Sequence, residues 1–431
     1  MYVRFDVDID RTSNVTYTGI SGKGGDMTTQ LPPVRPMKLT FGGRVPDEDI
    51  VGRDETADSL WEDLESNSIQ ISEMRRFGKS TILRLMEMRA PEGWTCVRTT
   101  VQDARSTNDL IELTLQELLG HSSIKDRIKK DILSLGQRVD GIDITTPVAN
   151  FHLNPDLKQS ASQTFRTVLE SLNSDLEQDN VRLAIMWDEF PDAIDAIRQN
   201  ESPEAARNVL ALLKANRESA DSGRLRWVLT GSVGFHHVQR LLGGHGQEMG
   251  DVITRDVEPL TKDWTRWLAE SLLLGIGLDD TAAAWDIADI SGGIPYVVEM
   301  MVKFLRDTHH SDPAALPHSE TMARKLLIEA AGDPAIGSNW TPLLTRVDDY
   351  YKELAPLAEA ILDTVARSPQ TLDEIANSVK EVAPAAGQRE VRQVIDLLVD
   401  DHYLVFDYDS STYSWRHQPL QLIWQAKRRG V

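Results

Sequence analysis

Apolar positions along this chain form short runs separated by longer amphipathic stretches. Five short runs bounded by turn residues predict buried strands near residues 69–73, 94–101, 181–187, 225–231 and 252–258. Between them, apolar residues recurring every three or four positions predict helices at about 54–66, 79–88, 107–120, 123–137, 160–178 and 203–219. Because strands and helices alternate, residues 46–258 are expected to form an α/β domain, an αβα parallel sheet with helices on both faces.

The spacing becomes wholly helical after Pro259 and changes again near residue 346. Residues 259–345 are therefore predicted to form a separate group of helices, which we call the lid. The remainder, residues 346–431, predicts three helices and two short strands, at 354–367, 372–376, 388–400, 403–406 and 413–415. Three helices followed by a two-stranded hairpin are typical of a C-terminal winged-helix domain.

Two segments interrupt this pattern. Residues 1–45 contain clusters of Gly, Ser, Thr and Pro without any period, which predicts a flexible N-terminal arm. Residues 138–154 are interpreted as a small hairpin inserted before the strand near 181–187.

Composition sets the class of protein. The chain has 431 residues, enough for two or three domains at about 150 residues each. Its single cysteine, Cys96, excludes an internal disulfide and favours a reducing compartment. No run approaches the roughly 20 apolar residues that cross a bilayer, and the segment Met1–Asp6 lacks the apolar core of a secretion signal. We therefore expect a cytoplasmic protein without a membrane partner.

Charge restricts the partners further. Lys and Arg total 46 against 67 for Asp and Glu, which gives a formal net charge of −21. A field of this sign repels polyanions at long range, which disfavours a general nucleic-acid coat protein and leaves a local basic patch open.

The segment 69–81 joins a strand-like run to the start of a helix through a turn that ends in Gly78-Lys79-Ser80. Such a turn directs backbone N–H groups and the positive end of the helix dipole at one point, which suits a triphosphate. Gly78 lets the backbone approach closely, Lys79 would reach the β- and γ-phosphates, and Ser80 would offer a hydroxyl to Mg²⁺. This order of elements predicts a nucleotide-phosphate loop.

The apolar run at 183–187 ends in two carboxylates, Asp188 and Glu189. Asp188 stands at the exposed end of a strand too apolar to hold charge elsewhere, and it would hold the same Mg²⁺ through water. Glu189 would then orient or deprotonate the attacking water. Together with the loop, this strand end predicts an Mg²⁺-dependent ATPase.

Glu73 departs from the usual loop, because it occupies the position five residues before Gly78 where glycine is customary. A carboxylate beside a phosphate site is electrostatically unfavourable. We therefore expect the Glu73 side chain to point away from the phosphates or to pair with Arg75 or Arg76.

These motifs resemble those of the archaeal-type ATPases, which are relatives of the STAND and origin-recognition branches of the AAA+ superfamily. The loop Arg75-Arg76-Phe77-Gly78-Lys79-Ser80 is similar to the family's Pro-Arg-Arg-x-Gly-Lys-Thr/Ser loop, although Glu73 and Met74 differ from it. Further matches follow in the family's order: Val51-Gly52-Arg53-Asp54, Trp187-Asp188-Glu189-Phe190-Pro191, Trp227-Val228-Leu229-Thr230-Gly231-Ser232 and Ser291-Gly292-Gly293-Ile294-Pro295-Tyr296. The resemblance covers roughly residues 46–425.

The resemblance implies the roles of several residues. Gly52 and Arg53 would lie near the adenine, and Ser232 would face the γ-phosphate as a sensor. The loop residues that would bind ATP or ADP are Arg75, Arg76, Phe77, Gly78, Lys79, Ser80 and Thr81. Lys79, Asp188, Glu189 and Ser232 would form the catalytic group, with Mg²⁺ held by Ser80 and Asp188. The chain would then be a switch whose nucleotide state repositions the lid and the winged helix.

Two other functions stay open. A DNA-associated regulator or loader with a structural nucleotide would use Arg389 and Arg392 on the third winged-helix helix, although Glu390 and Asp396 interrupt that basic face. A nucleotide-gated scaffold in defence signalling would instead assemble with a protein partner or with itself. The pairs His236-His237 and His309-His310 are expected to be solvated or to cap helices rather than to bind metal.

Overall fold

The computed structural model describes residues 31–122, 124, 128, 161–219, 223–231, 235–243, 247–337, 347, 348, 350–384 and 386–430. The helix predicted at 123–137 and the hairpin predicted at 138–154 lie almost wholly outside these residues. Within them, the predicted alternation of strands and helices in the first half of the chain is confirmed.

A five-stranded parallel sheet forms the centre of the αβα domain. Its strands are β1 (Ile69–Ser72), β2 (Trp94–Thr100), β3 (Arg182–Asp188), β4 (Leu225–Gly231) and β5 (Ile253–Asp256). They lie in the order β2-β3-β4-β1-β5, so β4 separates the strand before the glycine-containing turn from the strand that ends in carboxylates. Because all five strands run parallel, their carboxyl ends meet at one edge, where ligands of such sheets bind.

Helices cover both faces of this sheet. Those described are α1 (Asp54–Leu64), α2 (Lys79–Met88), α3 (Thr107–Gly120), α4 (Ala161–Gln178), α5 (Phe190–Asn200), α6 (Pro203–Ser219) and α7 (Phe235–Leu241). The sequence pattern missed α5 and α7, which both begin within four residues of a strand end. Three turns or fewer leave too few apolar repeats to be distinguished from a loop.

Strand β3 shows how the two faces of the sheet are filled. Leu183, Ile185 and Trp187 pack into one core with α3, α4, α5 and α6, whereas Ala184 and Met186 pack into a second core on the other face. Alternate residues of a strand point to opposite faces, so a run without polar residues is what a strand buried on both sides requires. The second core continues into the lid and the C-terminal part of the chain.

The lid consists of α8 (Lys262–Gly275), α9 (Thr281–Ser291), α10 (Pro295–Asp307) and α11 (Glu320–Gly332). Side chains cap three of these helices at their N-termini, namely Thr261, Asp280 and Ser319. Between α9 and α10, Gly293 has φ +76°, and a Cβ there would lie 2.5 Å from the Leu260 carbonyl oxygen. Only glycine fits at this position of the turn. The turn places the start of α10 against the end of the sheet domain.

The segment from residue 350 onward, called here the C-terminal domain, contains α12 (Ala355–Val365), α13 (Leu372–Ser378), α14 (Gln388–Asp400), β6 (Leu404–Asp407), β7 (Thr412–Trp415) and α15 (Gln418–Arg428). The three helices and antiparallel hairpin occur in the order expected of a winged helix. The sequence pattern missed α15, which packs back on α9 and α11 of the lid. The C-terminal domain is thereby held against the rest of the chain.

Of the N-terminal segment, residues 31–45 run over the lid without forming a helix or strand. Met37 is buried, and its N–H donates to the Ser271 carbonyl oxygen at 2.9 Å. Phe41 stacks on Tyr296 with ring centroids 4.9 Å apart. This segment therefore forms one wall of the space between the lid and the sheet.

The helices of the described residues carry polar faces as well as apolar ones. None of them is long and apolar enough to cross a membrane.

Candidate functional site

The turn between β1 and α2 is shaped by backbone conformations that few residues adopt. Gly78 has φ +89° and precedes α2 directly, and Arg76 has φ +73°. A Cβ on Gly78 would meet no atom closer than 4.0 Å, so the left-handed backbone, rather than lack of space, makes glycine the suitable residue here. The N-terminus of α2 consequently opens toward the carboxyl edge of the sheet, as the sequence predicted.

Lys79 lies inside this turn, although it is a charged side chain at the start of a helix. It is 5% exposed, and its ammonium donates to the carbonyl oxygens of Glu73 (2.5 Å) and Met74 (2.7 Å). Ser80 is exposed on the first turn of α2, and Thr81 is half-buried beside it. The turn thus holds a positive charge at its centre, where backbone N–H groups also converge.

Asp188 lies at the same edge of the sheet, at the end of β3. It is 4% exposed, and the Thr230 hydroxyl of β4 donates to its Oδ1 at 2.5 Å. This bond holds the Asp188 carboxylate toward β4, which is the neighbour of the strand that leads into the turn. Thr230 was missed by sequence reasoning, although it is the first polar residue after the apolar run of β4.

Glu189 follows at a second unusual backbone position. It has φ +61° and immediately precedes α5, so the chain turns sharply between the strand and the helix. Ser232, predicted as a sensor, lies just beyond the end of β4 and outside the described residues.

Gly52 and Arg53 form a tight junction next to the turn. Gly52 has φ +64°, and a Cβ there would lie 2.7 Å from the Trp264 side chain, so no other residue fits without displacing the lid. Arg53 donates to the Glu258 carbonyl oxygen (2.5 Å) and to the Phe77 carbonyl oxygen (3.3 Å). Burial lowers the pKa of its guanidinium to about 10, although the nearby Glu258 and Glu73 oppose this shift. Arg53 therefore fixes the backbone of the turn as well as lining the adjacent cleft.

A cleft opens between the turn, the N-terminal segment and the lid. Its walls are mainly apolar, with several polar side chains among them, and they include Met37, Thr40, Val51, Arg53, Phe77, Gly78, Thr81, Leu268, Pro295 and Glu299. Asp49 and Glu299 are the carboxyl groups of this cleft. Burial raises the pKa of Glu299 to about 7, although hydrogen bonds from the Gly42 backbone and Thr40 and the charge of Arg76 act against this shift.

Sequence reasoning identified Arg53, Phe77, Gly78 and Thr81 among these lining residues but missed Met37, Thr40 and Glu299. No local signal marks the missed residues, because they come from the N-terminal segment and the third lid helix. Only folding brings them beside α2.

Glu73 is 1% exposed and lies against the C-terminal domain. Its Oε1 accepts the Met74 backbone N–H at 2.9 Å and lies 3.6 Å from His417 Nε2. Its Oε2 lies 3.6 Å from Arg416 Nη2 and 4.0 Å from His402 Nδ1. Burial raises the pKa of this carboxyl group, but the nearby His417 and His402 outweigh burial and hold the pKa below its ordinary value.

Arg75 and Arg76, the partners that the sequence suggested for Glu73, have contacts elsewhere. Arg75 lies 3.2 Å from the Asp192 carboxylate. Arg76 donates to the Gly42 carbonyl oxygen at 3.4 Å and lies over the Tyr296 ring. The two arginines therefore connect the turn to α5 and to the lid, while basic side chains of the C-terminal domain surround Glu73.

A second ionic cluster joins α7 to the C-terminal domain, and it corrects our expectation for His236 and His237. Both imidazoles contact the Asp401 carboxylate, His237 Nε2 at 2.6 Å and His236 Nε2 at 3.3 Å, and the Tyr351 hydroxyl donates to it at 2.7 Å. His237 is 1% exposed and is therefore neither solvated nor a helix cap. The two histidines are adjacent in the chain, and both contact one carboxylate, which belongs to the C-terminal domain that packs against α7.

Comparison with known proteins shows the fold. No protein-family model matches the chain, and no curated protein matches its sequence. Among solved structures, it is similar to the Walker-type ATPase PABY2304 of Pyrococcus abyssi, with 19% identity and a TM-score of 0.57 over 91% of this chain and 99% of that chain. It also matches the ORC2 protein of Aeropyrum pernix in its ADPNP–ADP complexes, with 13% identity and a TM-score of 0.47 over 88% of this chain and 96% of that chain. The first match confirms that the chain has the fold of a Walker-type ATPase.

Proposed function

We propose that this chain binds ATP and ADP together with Mg²⁺ and hydrolyses ATP as a nucleotide-dependent switch. The observation that carries the proposal is the convergence of three features at one edge of the sheet: the open N-terminus of α2, the enclosed ammonium of Lys79, and the oriented carboxylate of Asp188. The Walker-type fold of the P. abyssi protein supports it.

Phosphate binding is assigned to the turn and to Lys79. The carbonyl oxygens of Glu73 and Met74 hold the ammonium in the turn, and phosphate oxygens would replace them as its partners. The backbone N–H groups at the start of α2 add partial positive charge at the same place. Arg75 and Arg76 would contact phosphate only by exchanging their present partners, so we assign them a weaker contribution.

The residues at this edge fit a magnesium ion. Mg²⁺ prefers oxygen ligands, and the Ser80 hydroxyl and the Asp188 carboxylate are of that kind. Thr230 orients Asp188 by its hydrogen bond, as partners of a metal-binding carboxylate usually do. The ion would neutralise charge on the β- and γ-phosphates.

Glu189 is assigned to the attacking water. Its position directly after β3 puts it next to Asp188, and its left-handed backbone is a conformation that non-glycine residues hold only when the surrounding structure enforces it. The carboxylate would accept a hydrogen bond from water and orient it toward the γ-phosphate. Ser232 would sense that phosphate from the end of β4.

The base is assigned to the cleft between the turn and the lid. Its walls include Gly78 and Thr81 of the loop as well as Arg53 of the Gly52-Arg53 junction. Leu268 and Pro295 belong to the lid, so closure on a bound nucleotide would fix the lid against the sheet domain. Release of the γ-phosphate would then let the lid and the C-terminal domain reorient, which is the proposed output.

The proposal is tested by titrating the purified chain with ATP and ADP in a calorimeter, with Mg²⁺. We expect Lys79→Ala to weaken ATP affinity by on the order of 10- to 100-fold, since it removes charged hydrogen bonds to phosphate. Lys262→Ala is the matched control, because Lys262 also begins a helix but lies exposed in the lid. Glu189→Gln should bind ATP normally and hydrolyse it on the order of 100-fold more slowly. A wild-type chain that takes up neither nucleotide at millimolar concentration would contradict the proposal.

A second candidate function is a DNA-associated regulator, favoured by two exposed arginines of α14, Arg389 and Arg392. In this case DNA binding would fall steeply with salt and would be lost in Arg389→Ala plus Arg392→Ala. A protein scaffold would behave differently: addition of nucleotide would change the molecular mass of the particle, and DNA binding would not be expected.

A further inference from the structure

An acidic residue in the phosphate turn requires a compensating charge. The Glu73 carbonyl oxygen accepts a hydrogen bond from Lys79, so this residue is part of the wall of the proposed phosphate site. Its side chain is buried, and an unpaired buried carboxylate is strongly unfavourable. The compensating charge comes from outside the sheet domain.

Three residues of the C-terminal domain face the Glu73 carboxylate, and Arg416 among them brings a permanent positive charge. Arg416 lies at the end of β7, with Nη2 at 3.6 Å from Glu73 Oε2 and 2.8 Å from the Asp256 carboxylate. His417 lies 3.6 Å from Glu73 Oε1, and its ring packs on Phe77 with centroids 4.6 Å apart. His402 lies 4.0 Å from Glu73 Oε2, and its other ring nitrogen is 3.0 Å from the Ser72 hydroxyl. The C-terminal domain thus contacts Ser72, which precedes the turn, and Glu73 and Phe77 within the turn.

We infer that the C-terminal domain completes the phosphate site by neutralising Glu73, so that nucleotide affinity depends on this domain being docked. The inference rests on the proposed function. Glu73 is a positioning residue in this arrangement: it acts on the nucleotide through the turn and Lys79.

Undocking of the C-terminal domain would leave a bare carboxylate next to the phosphates. Repulsion between like charges would weaken nucleotide binding, and loss of the contacts to Ser72 and Phe77 would loosen the turn. Coupling between two equilibria is reciprocal, so a bound nucleotide must favour the docked domain by the same factor. The chain would in this way convert occupancy of the site into the position of a separate domain.

The test is a double-mutant cycle on ATP affinity in the full chain. Arg416→Ala should weaken ATP binding by about tenfold, a usual size for coupling between sites, because it exposes the phosphates to an uncompensated Glu73. Glu73→Gln removes that charge while keeping the shape, so the Glu73→Gln, Arg416→Ala double variant should bind within about threefold of wild type. Arg416→Lys, which keeps the charge, should bind like wild type.

Arg428→Ala is the control for a general weakening of the C-terminal domain. Arg428 also lies in that domain and pairs with Glu359 and Asp363, away from the turn. It should leave ATP affinity unchanged.

Hydrogen exchange gives a second readout, which does not depend on affinity. ATP should slow amide exchange over residues 402–417 in wild type, and this effect should shrink in Glu73→Gln. The inference is overturned if wild type binds ATP but Arg416→Ala binds equally well, or if Glu73→Gln fails to restore the double variant. A wild type that binds no nucleotide contradicts the proposed function itself, which is a distinct outcome.

Discussion

At the scale of single residues, two carboxyl groups show how the same functional group behaves differently in different surroundings. Glu73 lies beside two histidines of the C-terminal domain, which hold its pKa below the ordinary value despite burial. Glu299 is buried near backbone and hydroxyl donors, and burial raises its pKa to about 7. Nearby basic side chains favour the ionised form of Glu73. Glu299 has fewer of them, so burial favours its protonated form.

The pKa of Glu299 predicts a pH dependence of stability. Its pKa is raised from 4.5 in the unfolded chain to about 7 in the folded one, so the folded state binds the proton more tightly. The stabilising contribution is complete below about pH 4.5 and is lost as the pH rises through about 7, by roughly 3 kcal/mol. Glu299→Gln removes this loss.

Urea unfolding at pH 5 and pH 7.5 measures the effect. The free energy of unfolding of Glu299→Gln should increase relative to that of wild type as the pH rises. Glu270→Gln is a suitable control, because Glu270 also lies in the lid and pairs with Arg266. Equal pH dependence of wild type and Glu299→Gln would contradict the assignment.

At the scale of elements, the helices and strands that the pattern predicted are those with clear ends. The runs predicted as strands match the observed strands within two residues at each end, because turn residues bound them. Helix α8 begins after Thr261, whose hydroxyl accepts the Trp264 N–H, and α9 begins after Asp280 in the same manner. Side-chain caps satisfy backbone donors that the helix itself leaves unpaired.

The cap of α9 makes a testable contribution. Asp280 Oδ1 accepts the Ala283 N–H at 2.8 Å, and Asp280→Ala should lower the free energy of unfolding by about 1 kcal/mol. Asp279→Ala is the matched control, since Asp279 is exposed and precedes the cap. Urea denaturation compares the two, and an equal loss in both variants would show that general charge, not capping, is responsible.

At the scale of the whole molecule, the C-terminal domain is attached to the sheet domain through two ionic clusters. One surrounds Glu73, and the other surrounds Asp401 with His236, His237 and Tyr351. Burial opposes ionisation of Asp401, but hydrogen bonds from the two histidines hold its pKa well below the ordinary value. Because the two clusters involve neighbouring residues, Asp401 and His402, docking at one supports docking at the other.

Loss of the second cluster should weaken the attachment. Asp401→Asn removes the carboxylate that the two imidazoles and the Tyr351 hydroxyl contact, and it should cost about 3 kcal/mol of stability at neutral pH. This stabilisation is present above the unfolded pKa of 3.8 and is lost as the pH falls further, because the folded pKa is the lower one. Asp396→Asn is the control, since Asp396 is an exposed carboxylate of the same helix, α14. Thermal unfolding that is alike in both variants would contradict a role for Asp401 in docking.

Local sequence was enough to predict the strands of the sheet, the glycine turn before α2, the carboxylates after β3 and most helices of the C-terminal domain. These features follow from periodicity and turn chemistry, which act over a few neighbouring residues. It gave no account of α5, α7 and α15, whose few turns carry little pattern, nor of Thr230 and Glu299 in the site.

Tertiary structure alone decided the surroundings of Glu73. The sequence offered Arg75 and Arg76 as its partners because they are close along the chain, whereas folding brought His402, Arg416 and His417 to it. Ser72 and His402 are 330 residues apart in the chain and 3.0 Å apart in space. A buried charge takes its partner from whichever segment packs against it, and packing between distant segments leaves no mark in local sequence.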